Sequence, residues 1–239
     1  MNDRRLEWLA EGTEVFGREL AALSDAALDA PSLLPGWTRR HLLAHVGHNA
    51  HALMRLLHWA RTGEETPMYK DAAARDREIA EGAALAPSAL RDLVITSAAE
   101  LRQAIDSLPE RAWSAEVVTA QGRTVPATEV PWMRCREVWV HAVDLDGGVS
   151  FDRFPAAMLD ELIDDITTTL QRRGQPPALL VEPTDRTRRW RVDIDGQPPA
   201  TLTGTADFVV AVLTGRVRAP AKQHPGSAAP AVPELGRWL

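Results

Sequence analysis

The chain has 239 residues, of which 27 are Lys or Arg and 33 are Asp or Glu, so its formal net charge is −6. This balance lacks the basic excess expected of a nucleic-acid-binding protein. The single cysteine, Cys135, excludes an internal disulfide, a CxxC redox pair and a cysteine-rich zinc site, so any metal must be held by imidazole and carboxylate. Neither a signal-peptide core nor a run of 18 apolar residues is present, and we therefore expect a cytoplasmic protein with no membrane contact.

Hydrophobic periodicity predicts helices along the first three quarters of the chain. Pro87 suits the first turn of the fourth helix, and Pro131 can occupy the first turn of the fifth. An extended segment at residues 115–124 precedes the fifth helix. The predicted helices cover residues 6–22, 39–61, 71–84, 87–108, 129–146 and 155–172.

The pattern changes after Gly174, because 9 of the 17 prolines lie in residues 176–239. Short strands are predicted at residues 179–182, 190–193 and 200–203, followed by a helix at 206–214. The Pro-rich tail ends in Arg237, Trp238 and Leu239, which could dock on the body. The sequence predicts a mainly α, helical domain of residues 1–172 and a small α+β domain of residues 173–239.

Five of the seven histidines lie within eighteen residues of the second predicted helix. On a helical wheel, His45 lies ~60° from the centre of the apolar seam, whereas His51 and His58 point roughly away from it. His45 is therefore the best interior candidate. His51 and His58 are best explained as partly exposed helix residues, and this explanation fits His41 and His48 as well as a site role does.

The fifth predicted helix is apolar over most of its circumference, which is typical of a buried helix. Four polar residues nevertheless follow one another at spacings of three, four and three, and share one stripe ~80° wide. Such groups must face ligands, one another or water, because an unpaired buried charge costs several kcal/mol. They are Arg134, Glu137, His141 and Asp144.

Two interpretations of this polar stripe remain open. Glu137 and His141, at i and i+4, can both reach one metal ion, and His45 from a facing helix completes a set of three ligands. Three protein ligands leave a fourth position open, as in catalytic zinc sites. The alternative is a buried network of salt bridges and hydrogen bonds among the four residues.

Four segments carry a close resemblance to a known family: GWTRRHLLAH (residues 36–45), TGEETPMY (62–69), AQGRTVPA (120–127) and REVWVHAVDL (136–145). They resemble the mycothiol-dependent maleylpyruvate isomerases, within the DinB-like metalloenzyme superfamily. The resemblance implies a DinB-like helical bundle holding Zn2+ and a second domain similar to sterol carrier proteins. It also implies a small-molecule partner besides mycothiol, with the zinc ligands falling on His45, Glu137 and His141.

The implied activity is the cis–trans isomerisation of maleylpyruvate to fumarylpyruvate in gentisate-type aromatic degradation. The resemblance places the family's catalytic arginine at Arg216, where it could stabilise developing negative charge or clamp a carboxylate. Asp144 could orient a ligand histidine or contact the thiol or the substrate, and Arg134 could contribute to the same site or only balance the acidic charge. We expect a monomer.

Other functions and other residues fit parts of the same pattern. A related mycothiol-dependent zinc transferase or hydrolase shares the scaffold, whereas a zinc-containing binding module is disfavoured because it would need a CxxC pair. Cys135 lies ~120° from His141 on the wheel, which favours a buried structural thiol. The arginine-rich residues 186–191 have acidic neighbours, which favours a solvated strand edge over a nucleic-acid site.

Overall fold

A computed structural model describes residues 3–174 and 177–217 of the chain. The chain divides into two compact units, the first ending at Val149 and the second beginning at Ser150. In the first unit, five helices accompany a two-stranded antiparallel sheet of β1 and β2. The elements are α1 (Asp3–Ala22), α2 (Arg39–Thr62), α3 (Ala72–Ala83), α4 (Pro87–Asp106), β1 (Glu116–Val118), β2 (Thr124–Pro126) and α5 (Val130–Asp144).

Helices α2 and α5 form the centre of the first unit. Helix α5 packs against α1 and α2, and α2 also packs against α3 and α4. Trp139 of α5 is fully buried and donates from Nε1 to the Trp8 carbonyl of α1 over 2.8 Å. Every residue of α5 from Val138 to Asp144 is buried, as its apolar circumference predicted. The polar stripe of α5 therefore lies in the interior of the bundle.

The second unit contains two helices and a three-stranded sheet of order β4-β3-β5. Strand β3 is antiparallel to β4 and parallel to β5, and α6 packs against β4 and α7. The fold class is the predicted one, a helical unit followed by a small α+β unit. The elements are α6 (Ala156–Arg173), β3 (Leu179–Pro183), β4 (Trp190–Val192), β5 (Ala200–Gly204) and α7 (Ala206–Leu213).

The position of α6 differs from the sequence prediction, which placed the domain boundary at residue 172. The compact units separate between Val149 and Ser150, and α6 belongs to the second. Periodicity shows where helices give way to strands, but it does not show which core an apolar helix face covers. Among the described residues, no helix has the length and apolar character needed to cross a membrane.

The arginine-rich segment around β4 is neutralised within its own unit. Arg186 pairs with Asp160 at 2.7 Å, and Arg189 pairs with Glu182 at 3.0 Å. Arg188 forms an ion pair with Asp164. Local acidic partners account for these cations, in agreement with their interpretation as a solvated edge.

Candidate metal centre

Two arginines fix α2 against α5. The buried Arg134 of α5 donates to the Val46 carbonyl over 2.7 Å and to Asn49 Oδ1 over 2.9 Å, both on α2. At the other end, Arg39 of α2 donates from Nε to the Leu145 carbonyl over 2.6 Å. The last carbonyls of a helix have no partner within it, and a cation there also suits the helix dipole. These contacts set the register between the two helices.

Arg134 keeps its charge in this buried position. Burial lowers its pKa to about 10, and the negative charge of Glu137 opposes that shift. Its hydrogen bonds to Val46 and Asn49 support a role in holding α5 against α2. The sequence pattern identified Arg134 as part of the stripe, but it could not show that its partners were backbone and amide oxygens of α2.

Side chains from both helices meet at one point. One ligand atom each from His45, Glu137 and His141 lies within 4.8 Å of the others. Glu137 Oε2 is 3.1 Å from His45 Nε2 and 3.1 Å from His141 Nε2. With zinc bonds of about 2.0–2.1 Å, neighbouring donors of a tetrahedral site lie roughly 3.3 Å apart, so the two separations that involve Glu137 are close to those of such a site. Within residues 3–174 and 177–217, this is the one such group.

Asp144 supports His141 from the side opposite Glu137. The Asp144 side chain is 0% exposed, and its Oδ2 lies 2.8 Å from His141 Nδ1. This hydrogen bond places the Nδ1 proton toward Asp144 and leaves Nε2 facing Glu137, as a ligand histidine requires. The two interpretations of the polar stripe are therefore compatible, because its side chains form hydrogen bonds with one another and also offer donor atoms to a metal.

The charges within this cluster are strongly coupled. Burial alone would raise the pKa of Glu137, but hydrogen bonds with His141 and His45 hold it well below its ordinary value. Burial would likewise lower the pKa of His141, yet its hydrogen bonds with Asp144 and Glu137 raise it. Glu137 is therefore an ionised carboxylate at neutral pH, and a proton on His141 would compete with any cation for this site.

His45 occupies a more apolar environment. Its ring is 5.0 Å from the His141 ring, and the edge of Trp37 packs against it at 5.5 Å between ring centroids. Burial lowers the pKa of His45, and its hydrogen bond with Glu137 opposes the shift only in part. A neutral imidazole is the form that binds a metal, so the lowered pKa of His45 favours that form.

Two side chains near this centre were missed by the sequence analysis. Arg75 of α3 brings Nη2 to 3.5 Å from His45 Nδ1. Burial raises the pKa of Tyr69 to about 12, and the charge of Glu137 acts in the same direction. Tyr69 closes the TGEETPMY segment, which was available as a signal, whereas Arg75 lies in a helix with no distinctive pattern.

The loop 63–71 that carries Tyr69 is held against α2 and the β1–β2 hairpin. Arg55 of α2 donates from Nε to the Met68 carbonyl over 2.7 Å, and its guanidinium lies 5.6 Å from the centre of the Tyr69 ring. Met68 Sδ in turn accepts from the Ala120 amide at 3.2 Å. The TGEETPMY and AQGRTVPA segments, which narrow the family resemblance, are thus in contact.

The remaining candidates are not among the three donors. Cys135 is buried, which agrees with a packing role. His51 and His58 are partly exposed, as predicted from the wheel. Arg216 belongs to the second unit, where its amide donates to the Ala211 carbonyl over 2.7 Å, and its catalytic role stays a prediction. The C-terminal residues 237–239 lie outside the described residues.

Comparisons with known proteins agree with this site. The model of the mycothiol maleylpyruvate isomerase N-terminal domain matches residues 9–146, which include all three donors. A crystal structure of the mycothiol-dependent maleylpyruvate isomerase is 44% identical, with a TM-score of 0.87 over 90% of this chain and 89% of that chain. A histidine-to-alanine mutant of that isomerase matches at 43% identity, also with a TM-score of 0.87 and the same shares of both chains. No curated protein matches the chain at the significance required.

The family model matches more than half of the chain, and the crystal structure is 44% identical over 90% of it. The chain therefore belongs to the family of mycothiol-dependent maleylpyruvate isomerases.

Proposed function

We propose that the chain is a zinc- and mycothiol-dependent cis–trans isomerase that converts maleylpyruvate to fumarylpyruvate in gentisate-type aromatic degradation. One observation carries this proposal: two imidazoles and one carboxylate converge in the interior of a chain that is 44% identical to such an isomerase. A set of three protein ligands with a fourth position open is typical of catalytic zinc rather than structural zinc.

The chain's own residues supply the cation site and its orientation. His45 and His141 contribute neutral imidazoles and Glu137 an ionised carboxylate, while Asp144 fixes the tautomer of His141. When bound, zinc supplies the Lewis acidity that lowers the pKa of a coordinated thiol from its free value of ~8.5. Trp37, which is half-buried, packs against the His45 ring and shields that side of the site from water.

Isomerisation requires that the double bond of maleylpyruvate lose its π character, which reversible addition of a thiolate achieves. Rotation about the resulting single bond, followed by loss of the same thiolate, leaves the trans product. Negative charge develops on the substrate's carbonyl oxygens during addition, so a cation there lowers the barrier. Arg216 is the residue proposed for this role, with its planar guanidinium suited to a carboxylate or an enolate oxygen.

The activity is tested with purified, zinc-loaded protein, mycothiol and maleylpyruvate. We expect fumarylpyruvate to form only when mycothiol is present, and Arg216→Ala to lower turnover at unchanged zinc content. Arg189→Ala, which removes an exposed cation from the same unit, serves as the control. Absence of fumarylpyruvate would refute the isomerase and leave a transferase or hydrolase that uses the same thiol, whereas full turnover by Arg216→Ala would exclude that residue.

The metal is tested separately from turnover. Elemental analysis of folded wild-type protein is expected to give about one zinc per chain, and His45→Ala and Glu137→Ala are expected to lose it. His58→Ala, on the same helix as His45 but on its outer face, is the matched control and should keep its zinc. Retention of stoichiometric zinc by both ligand variants would refute the three-residue assignment.

A further inference from the structure

The Nδ1 side of the His45 ring is in contact with the guanidinium of an arginine, Arg75. His45 Nε2 points toward Glu137 Oε2, and Nδ1, on the other side of the ring, faces Arg75 Nη2 at 3.5 Å. Arg75 is half-buried, with 33% of its side chain exposed. The guanidinium is therefore separated from the metal ligands by one imidazole ring and is still open to solvent.

Without a metal, His45 Nδ1 accepts from Arg75 while Nε2 donates to Glu137, but a metal bound to Nε2 would leave Nδ1 in need of a hydrogen-bond acceptor. A histidine that binds a metal through Nε2 carries its proton on Nδ1, and ligand histidines nearly always donate that proton to an acceptor. A guanidinium has only donors, so Arg75 cannot accept it. Among the described residues, Asp76 is the carboxylate within ion-pair distance of Arg75, and it is an exposed chain neighbour at 3.4 Å.

Tyr69 supplies a further hydroxyl donor near these charges. The charges of both Glu137 and Arg75 act on the pKa of that hydroxyl. The Tyr69 ring is partly buried and is covered by Arg55, whose guanidinium also binds the neighbouring Met68 carbonyl. These two contacts of Arg55 hold Tyr69 against α2.

We propose that Arg75 and Tyr69 form a carboxylate-binding subsite beside the metal centre, which takes one carboxylate of the diacid substrate. A carboxylate has two acceptor oxygens, which can receive protons from the guanidinium fork, from the tyrosine hydroxyl and from the outer nitrogen of His45. The choice of this diacid rests on the proposed function. The 3.5 Å contact between Arg75 and the outer nitrogen of His45 does not depend on it.

The experiment measures the binding of maleate, an unreactive cis-dicarboxylate, to zinc-loaded protein by calorimetry. Loss of a charge-assisted hydrogen bond should weaken maleate roughly 10- to 100-fold in Arg75→Ala. Arg75→Lys should fall between Arg75→Ala and wild type, because it keeps the charge and loses the fork. Tyr69→Phe should weaken maleate by a smaller factor. Arg77→Ala, which removes an exposed cation from the same helix, is the matched control and should bind as wild type does.

Zinc content and turnover distinguish this subsite from the proposed function. All variants are expected to keep their zinc, and Arg75→Ala is expected to raise KM for maleylpyruvate more than it lowers kcat. Equal maleate affinity in Arg75→Ala and Arg77→Ala would overturn the subsite even if the wild type isomerises maleylpyruvate. Conversely, Arg75-dependent maleate binding without any turnover would uphold the subsite and refute the isomerase.

Discussion

Replacing Asp144 by Asn tests whether the buried carboxylate behind His141 strengthens the metal site. The substitution keeps the volume of the side chain and an oxygen that can accept from Nδ1 at the present 2.8 Å, but removes the negative charge. Removal of a partner of a ligand histidine typically lowers metal affinity 10- to 100-fold, which corresponds to about 1.4–2.7 kcal/mol. We expect a loss in this range above pH 8.

The loss should depend on pH in a defined direction. In the metal-free protein, hydrogen bonds with Asp144 and Glu137 raise the pKa of His141, so a proton competes with zinc up to a higher pH than at an ordinary histidine. Without the Asp144 carboxylate, burial lowers the pKa of His141, so the competing proton dissociates at a lower pH. The affinity difference between Asp144→Asn and wild type should therefore be largest at alkaline pH and shrink as the pH falls toward 6.

Competition of zinc between the protein and a chromophoric chelator, measured from pH 6 to 9, gives both quantities. Asp106→Asn removes an exposed carboxylate from the end of α4 and is expected to bind zinc as wild type does. Affinities within twofold of each other at pH 8–9, in variants with unchanged circular dichroism, would show that Asp144 does not act on the metal through His141.

Two other predictions concern packing and ionisation. A Cβ at Gly12 would overlap the Trp139 indole, so Gly12→Ala should lower the free energy of unfolding in urea by about 1–3 kcal/mol. Gly17→Ala, with no atom within 4 Å of the added Cβ, should raise the free energy of unfolding by about 0.5–1 kcal/mol. Equal effects of the two substitutions would contradict the α1–α5 packing. Tyr69 is the single tyrosine, so tyrosinate absorbance reports it alone and should show a midpoint of about 12. Because this pKa is raised on folding, its contribution to stability is complete below about pH 10 and is lost toward pH 12; titration near 10 in folded protein would contradict its burial.

Much of the fold could be predicted because helix periodicity and proline positions are local signals. The six longest helices and the three strands of the second unit lie within a few residues of their predicted positions. The unit to which α6 belongs could not be predicted from local sequence. The apolar face of α6 needs a partner, and either core could supply one, so the choice depended on packing against β4 and α7.

The three donors could be selected from the sequence for a different reason. A buried helix tolerates few polar residues. Glu137 and His141, at i and i+4, could therefore be predicted as site residues because they are polar in an otherwise apolar helix. His45 was selected by its angle to the seam of α2. Which atoms of these side chains meet, and that Asp144 rather than Arg134 contacts His141, depended on the register between the helices.

The elements that fix the donors differ from the elements that line the site. His45 and His141 lie on two buried helices locked together by Arg39 and Arg134, so a shift of either helix would require the whole core to repack. Tyr69 and Arg75 come instead from the loop 63–71 and the polar helix α3. Partly exposed positions can change without disturbing a core, so they leave no periodic trace in the sequence. The metal donors can therefore be predicted from the sequence as polar exceptions within an apolar pattern, whereas the residues of the proposed subsite can be identified only from tertiary contacts.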